Sequence, residues 1–330
     1  MGNLPRGRVN AARPFLRTGI DYAGPIFVRT TKGRGHRAHK AFIAVFVCLC
    51  TKAVHLEVVS DYSAEAFLAA LRRFVSRRGL CEEIYSDCGT NFVGADRELK
   101  ELLRVSTAGG RDVADAVATT GIKWHFNPSA APHFGGLWEA AVKSTKHHLR
   151  RAIGASTLTF EEMSTFLAQV EACLNFRPLC ALSDDSGNVS ALTPGHFLIG
   201  TPLLAVPEPS LLQERKTTLS RWKHIQKMRD HFWQRWSREY IHGLAFRPKW
   251  LRGEVSPIVG SLCLIRSEAT PPSKWPLTRI VKIHPGDEGI VRVVTVRTAN
   301  SELVRPTVKI VLLPIATDAP LPPGTQPNRL

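Results

Sequence analysis

Three carboxylates stand where a folding chain has little use for them. Asp21 lies inside the apolar run 19–30 (GIDYAGPIFVRT), Asp87 closes the run 83–87 (EIYSD), and Glu139 falls in the first turns of a helix starting near Leu137. Charge buried in a sheet without a partner is expensive. Acids brought together at strand ends from three elements make an oxygen-ligand site for hard divalent cations. With no His or Cys ligand of their own, they favour Mg²⁺ or Mn²⁺ over Zn²⁺. Two such ions can activate a water or hydroxyl and stabilise the leaving oxygen in phosphodiester chemistry. Taken singly, Asp87 reads as a turn residue before Gly89, and Asp21 as the partner of a buried Arg. The joint pattern carries the metal reading.

The helix that bears Glu139 adds to it. Glu139, Lys143, Lys146 and Arg150 recur at i, i+4, i+7 and i+11 and so share one face. An acid followed by a row of cations suits a metal held beside a polyanion; alone it would also suit a solvated Glu–Lys pair.

Positioning these residues takes alternating elements. Strands are expected at 19–30 (broken by Gly24-Pro25), 41–50 and 53–59, then a helix at 64–78 capped by Ser63 and ended by Gly79. A strand at 83–87, a helix at 95–104, a polar break at 106–110 and a helical turn at 112–118 follow. The fifth strand is 122–127, and helices from 137 and over 159–173 complete a mixed α/β sheet flanked by helices. Asp61, Asp96, Glu98 and Glu101 read as solvated acids on helix starts or polar faces. Residues 179–214 read as an irregular connector. In the helix 219–242, Trp222, Ile225, Met228, Phe232, Trp236 and Tyr240 form a stripe read as packing surface. Short β runs at 262–266, 278–284, 289–298 and 308–312 read as a small barrel-like domain, with 285–289 and 299–302 as turns.

The domain boundaries expected are a basic arm (1–14), the α/β core (15–200), a connector with the aromatic helix (201–257), the β domain (258–315) and a disordered Pro-rich tail (316–330).

Composition narrows the partners. The 330 residues hold 44 Lys+Arg against 28 Asp+Glu, a net charge of +16, which implies an anionic partner, most often nucleic acid. A membrane is not expected, since the longest apolar run, AFIAVFVCLC, is too short to span one. No signal peptide is visible, and seven scattered cysteines suggest reduced thiols in the cytosol or nucleus. The arm from Arg6 to Arg17, the hairpin with Lys32 and Arg34, and residues 215–252 are candidate phosphate contacts, sequence-tolerant and salt-sensitive.

The stretches GIDYAGP, YSDCGTNF and APHFGGLWEAAVKSTKHHL resemble the catalytic core of retroviral-type (DDE) integrases, in particular those of BEL/Pao-like LTR retrotransposons. The likeness covers roughly residues 4–200, and 216–315 resemble the β domain that follows the core in those elements. The resemblance implies a ribonuclease H-like five-stranded sheet and an SH3-like C-terminal barrel. It implies Asp21, Asp87 and Glu139 as the catalytic, metal-binding triad for two Mg²⁺ or Mn²⁺ ions, with Asn91 lining the site. Lys143 and Lys146 match lysines that hold the element's DNA end, with Arg150 on the same face and His133 in the adjoining loop. The implied activity is 3′-end processing and strand transfer on double-stranded DNA by a nuclear homo-oligomer.

The chain also departs from the pattern. Between Asp87 and Glu139 lie 51 residues, more than is usual, and Cys88 stands where the family often has Asn. An amino-terminal His-His-Cys-Cys zinc module is missing; His36 and His39 with Cys48 and Cys50 make a poor substitute, so no zinc is expected. Met1 falls where that module's linker would end, which is the expectation for a truncated product or an incomplete gene model. The alternative reading is an inactive, retroelement-derived DNA-binding or assembly protein.

Overall fold

The computed structural model of the chain describes residues 10–31, 37–108, 121–127, 139–183, 185, 187–204, 206, 208–214, 219–246, 257–266, 271–272 and 274–314. Lys32, Arg34, His133, the helical turn at 112–118, the start of the arm and the tail at 316–330 lie outside the described residues. The chain divides into two units.

In the first unit, β1 (Arg17–Arg29), β2 (Ala38–Cys48) and β3 (Val54–Val59) form an antiparallel meander. After α1 (Ala64–Arg78), β4 (Glu83–Ser86) returns parallel to β1; after α2 (Thr90–Ala108), β5 (Lys123–Phe126) joins parallel to β4. The order is β3-β2-β1-β4-β5, a mixed sheet flanked by helices. α3 (Glu139–Ile153) leads into a two-residue sixth strand, β6 (Leu158–Thr159), which pairs with Val28 and Arg29 at the far end of β1. α4 (Phe160–Asn175), α5 (Pro194–Ile199) and α6 (Arg221–Phe246) follow.

Gly24-Pro25 bends β1 without ending it. Proline cannot donate to a ladder, and the pairing with β2 slips between Ala23 and Ile26, a bulge that absorbs the missing bond. α1 keeps its expected bounds: the Ser63 side chain accepts the Ala66 N–H at 3.1 Å, and the Gly79 N–H closes on Val75 O at 2.8 Å. Its apolar stripe meets the sheet, where Phe74 stacks on Phe46 with centroids 4.2 Å apart, and Phe67 meets Phe92 of α2 edge-on. α2 runs from Thr90 to Ala108 and so takes in Ser106 to Ala108 of the polar break expected at 106–110. Asp96, read from sequence as solvated, is buried and paired with Lys100 at 2.7 Å, one helical turn on.

β3 is an edge strand, and α4 closes that edge with side chains. The Asn175 amide accepts the Val54 N–H and donates to Val54 O, both at 2.8 Å, while Glu171 accepts the Leu56 N–H at 3.0 Å. Glu57 on β3 pairs with Arg73 and Arg77 of α1, and Glu171 pairs with Arg78. His55 lies between the two acids, 3.1 Å from each. Burial opposes its charge, but hydrogen bonds to Glu171 and Glu57 outweigh that and hold its pKa above the ordinary value.

The aromatic helix belongs to this unit as far as Tyr240. Ile225, Met228, Phe232 and Trp236 are buried as the stripe implied, and Trp233, outside the stripe, is buried too; Trp222 stays half-exposed. Arg221 reaches the buried Glu162 at 2.5 Å, and Glu239 bonds Ser144 at 2.7 Å and His148 at 2.8 Å on α3. Among the described residues no helix is long and apolar enough to cross a membrane, and none of the cysteines forms a disulfide.

In the second unit the connector contributes a small ladder, β7 (Cys180–Ala181) with β8 (Ala191–Leu192). The rest is a separate antiparallel sheet. β9 (Leu262–Ile265), β10 (Leu277–Pro285), β11 (Val291–Arg297), β12 (Glu302–Pro306) and β13 (Ile310–Leu312) run in the order β12-β11-β10-β9-β13 around Cys263, Ile280, Val294, Val296 and Ile310. Arg279 is buried and donates to the carbonyls of Ser183, Asn188 and Gly260, tying the β7–β8 ladder to the sheet.

Candidate acid pair and basic groove

The parallel ladder between β1 and β4 pairs Thr18 with Ile84 and Gly19 with Tyr85. Two residues further along each chain stand Asp21 and Asp87. The register therefore delivers both acids to neighbouring positions at one end of the sheet, Asp21 still within β1 and Asp87 just past the end of β4. Asp21 is half-buried and uses both carboxylate oxygens: Oδ1 accepts the Tyr22 N–H at 2.6 Å and Oδ2 lies 2.6 Å from Lys146 Nζ. Asp87 is exposed, and its Oδ1 accepts the Gly89 N–H at 3.0 Å in a tight turn that leads into α2. Glu139 is the first residue of α3; its side chain lies outside the described residues.

Asn91, in the first turn of α2, is 2% exposed. The Tyr22 hydroxyl lies beside its amide, yet neither group makes a well-formed hydrogen bond. Burial pushes the Tyr22 phenol upward, so it stays protonated. Cys88 is exposed and its thiol reaches Asn127 O at 3.1 Å, which joins the Asp87 turn to the end of β5.

Tyr62 is the residue that spacing did not reveal. It precedes the Ser63 cap of α1, where only an aromatic type beside a capping signal marks it. Its ring meets Tyr22 and Phe42 edge-on, with centroids 5.5 and 5.1 Å away. Burial raises its pKa, and the charges of Asp87 and then Asp21 raise it further, which places the hydroxyl within electrostatic reach of both acids.

Among the described residues the β4 pairing of β1 ends at Gly19 and its β6 pairing begins at Val28, and α3 side chains line a pocket with Tyr22 to Phe27 in between. The result is a groove of about 680 Å³ floored by Tyr22 to Phe27 and walled by Lys143, Lys146 and Arg150. Lys143 and Arg150 are exposed, as the helical-face reading implied; Lys146 is turned inward onto Asp21. His147 is exposed at the same wall, whereas His148 is buried against Glu239 and burial lowers its pKa. His125 is stacked on Tyr85, centroids 4.6 Å apart.

The donors suit a hard cation. Two carboxylates and the buried Asn91 amide are oxygen ligands, and a cationic group, the Lys146 ammonium, already contacts Asp21. Among the described residues no group of three or more His, Cys, Asp or Glu that could hold a metal ion is found.

Residues 220–313 match a family model described as a family of unknown function, DUF5641. No curated protein matches the chain. Among solved structures, similarity is found to a chain in the cryo-electron microscopy structure of a simian T-cell lymphotropic virus intasome in complex with PP2A regulatory subunit B56 gamma. The TM-score is 0.37 and the identity 11%, over 96% of this chain and 85% of that one.

Proposed function

We propose that the chain is a retroelement integrase core with a ribonuclease H-like fold and an SH3-like C-terminal domain, carrying out metal-dependent 3′-end processing and DNA strand transfer. The observation that carries this reading is the β1–β4 register, which sets Asp21 beside Asp87 while α3 begins at Glu139. The sequence resemblance and the basic groove support it. Asp21, Asp87 and Glu139 would hold Mg²⁺ or Mn²⁺, which when bound supplies Lewis-acid activation of a water or 3′-hydroxyl and charge stabilisation of the leaving oxygen. Lys143 and Arg150 would take the DNA backbone along the groove, and Asn91 would offer its amide to the strand at the acids. Lys146 would balance the Asp21 charge and turn to a phosphate when DNA enters. The partner is double-stranded DNA, and the chain acts as a homo-oligomer in the nucleus.

The test is end trimming and strand transfer on a labelled duplex with Mg²⁺ or Mn²⁺, beside an Asp87→Asn control. Cleavage or joining that vanishes in the control is the expected result. Binding without turnover in either metal would overturn the enzymatic reading and leave a DNA-binding protein.

A further inference from the structure

A tyrosine beside a sheet usually buries its ring and turns its hydroxyl to water. Tyr62 is 45% exposed, and its hydroxyl lies over the Gly89 turn on the side of Asp87. A Cβ built on Gly89 would meet Asn91 Oδ1 at 2.7 Å, Asp87 Oδ1 at 3.1 Å and the Tyr62 hydroxyl at 3.2 Å. Three polar groups from two segments, the turn after β4 and the residue before the α1 cap, therefore crowd around Gly89, and only a residue without a side chain fits between them. One of them, the Asn91 amide, is buried and unpartnered among the described residues. Tyr22 and Phe42 brace the Tyr62 ring edge-on, so the hydroxyl is held rather than free to swing.

We propose that Tyr62 is a positioning residue of this site: its hydroxyl donates to a phosphate oxygen of the nucleic acid strand held at Asp21 and Asp87, and its exposed ring contacts the adjoining nucleotide. The inference builds on the function proposed above. It assigns to the site an uncharged donor in addition to the acids and lysines. A hydrogen-bonding group at fixed distance from the acids orients the phosphate without adding charge to a metal site.

Two measurements test it. Photo-cross-linking of the full chain to a DNA duplex carrying 5-iodouracil next to its 3′ end needs no turnover. Adducts are expected on Tyr62 in the wild-type and Asp87→Asn proteins, and none at position 62 in Tyr62→Leu. In the end-trimming assay, Tyr62→Phe keeps the ring and its packing and is expected to lower kcat roughly tenfold at nearly unchanged KM, the order of one hydrogen bond to a charged group. Adducts confined to other residues, a full-rate Tyr62→Phe enzyme or a chain that does not bind DNA would each overturn the proposal. Adducts on Tyr62 in a chain that never cleaves would instead overturn the enzymatic reading and leave the Tyr62 contact standing.

Discussion

Lys146 Nζ lies 2.6 Å from Asp21 Oδ2, so a cation of the chain already occupies one face of the first acid. Both side chains are about one-third exposed, at 33% and 27%, and a contact of that kind is worth roughly 0.2–1 kcal/mol. A divalent ion must displace or share with this ammonium. Lys146→Met is therefore expected to tighten Mn²⁺ binding by roughly 1.5- to 5-fold, the same energy written as a ratio. The check is isothermal titration with Mn²⁺ in the absence of DNA. Weaker Mn²⁺ binding in the variant would mean that Lys146 organises the acids rather than competing for them.

Lys143 and Arg150 face solvent along the groove wall. If they take phosphates, replacing each should weaken binding to any duplex sequence about equally. It should also reduce the slope of log K against log salt by roughly 0.9 for each phosphate no longer neutralised. Fluorescence anisotropy across a salt series on two unrelated duplexes measures both. An unchanged slope in the Lys143→Ala, Arg150→Ala double variant would place the DNA elsewhere.

The acids were legible because apolar runs tolerate charge only for a reason, and the helical face of α3 because i, i+4, i+7 spacing survives any context. What that face meets was not legible. Periodicity tells which residues share a side, not which strand lies opposite; the resemblance matches Lys146 to a DNA contact, and its contact with Asp21 comes only with the fold. The same limit applies to α6, whose stripe announced burial but not its partner, α3. β6 is two residues long, below any periodic signal. Asp96 misled for a different reason, since a polar helix face is read as wet unless the turn packed against it is known. Tyr62 could not be found from spacing at all, because its role depends on a glycine and an asparagine on another element.

The Asn175 amide replaces a strand partner for β3 by serving both the N–H and the carbonyl of Val54. Asn175→Leu would leave two buried backbone groups unpaired, at about 1–3 kcal/mol each. Urea unfolding should show a loss of roughly 2–6 kcal/mol with little change in m-value. An exposed edge also invites pairing between chains, so the variant should aggregate at lower concentration. A loss below about 1 kcal/mol would show that water reaches this edge and replaces the amide.

His55 makes stability depend on pH in a direction that can be worked out. Its folded pKa is raised above the ordinary 6.5, so its contribution is full below that value and is lost as pH rises through the folded pKa. Glu57 has the opposite sense: burial opposes its charge, but His55 and Arg73 outweigh that, and its depressed pKa gives stability that is lost only as pH falls below the ordinary 4.5. Charged groups face His55 from three sides, Glu57 on its own strand, Arg78 from α1 and Glu171 from α4, while Arg73 and Arg77 of α1 pair with Glu57. His148, whose pKa is lowered by burial, works against His55 in the wild type, so the informative quantity is a difference between proteins. His55→Gln should lose more stability relative to wild type at about pH 5.5 than at about pH 8.5, read from thermal melts of the two proteins at each pH. An equal loss at both would mean that the imidazole is neutral throughout and that the two glutamates are neutralised by the α1 arginines alone.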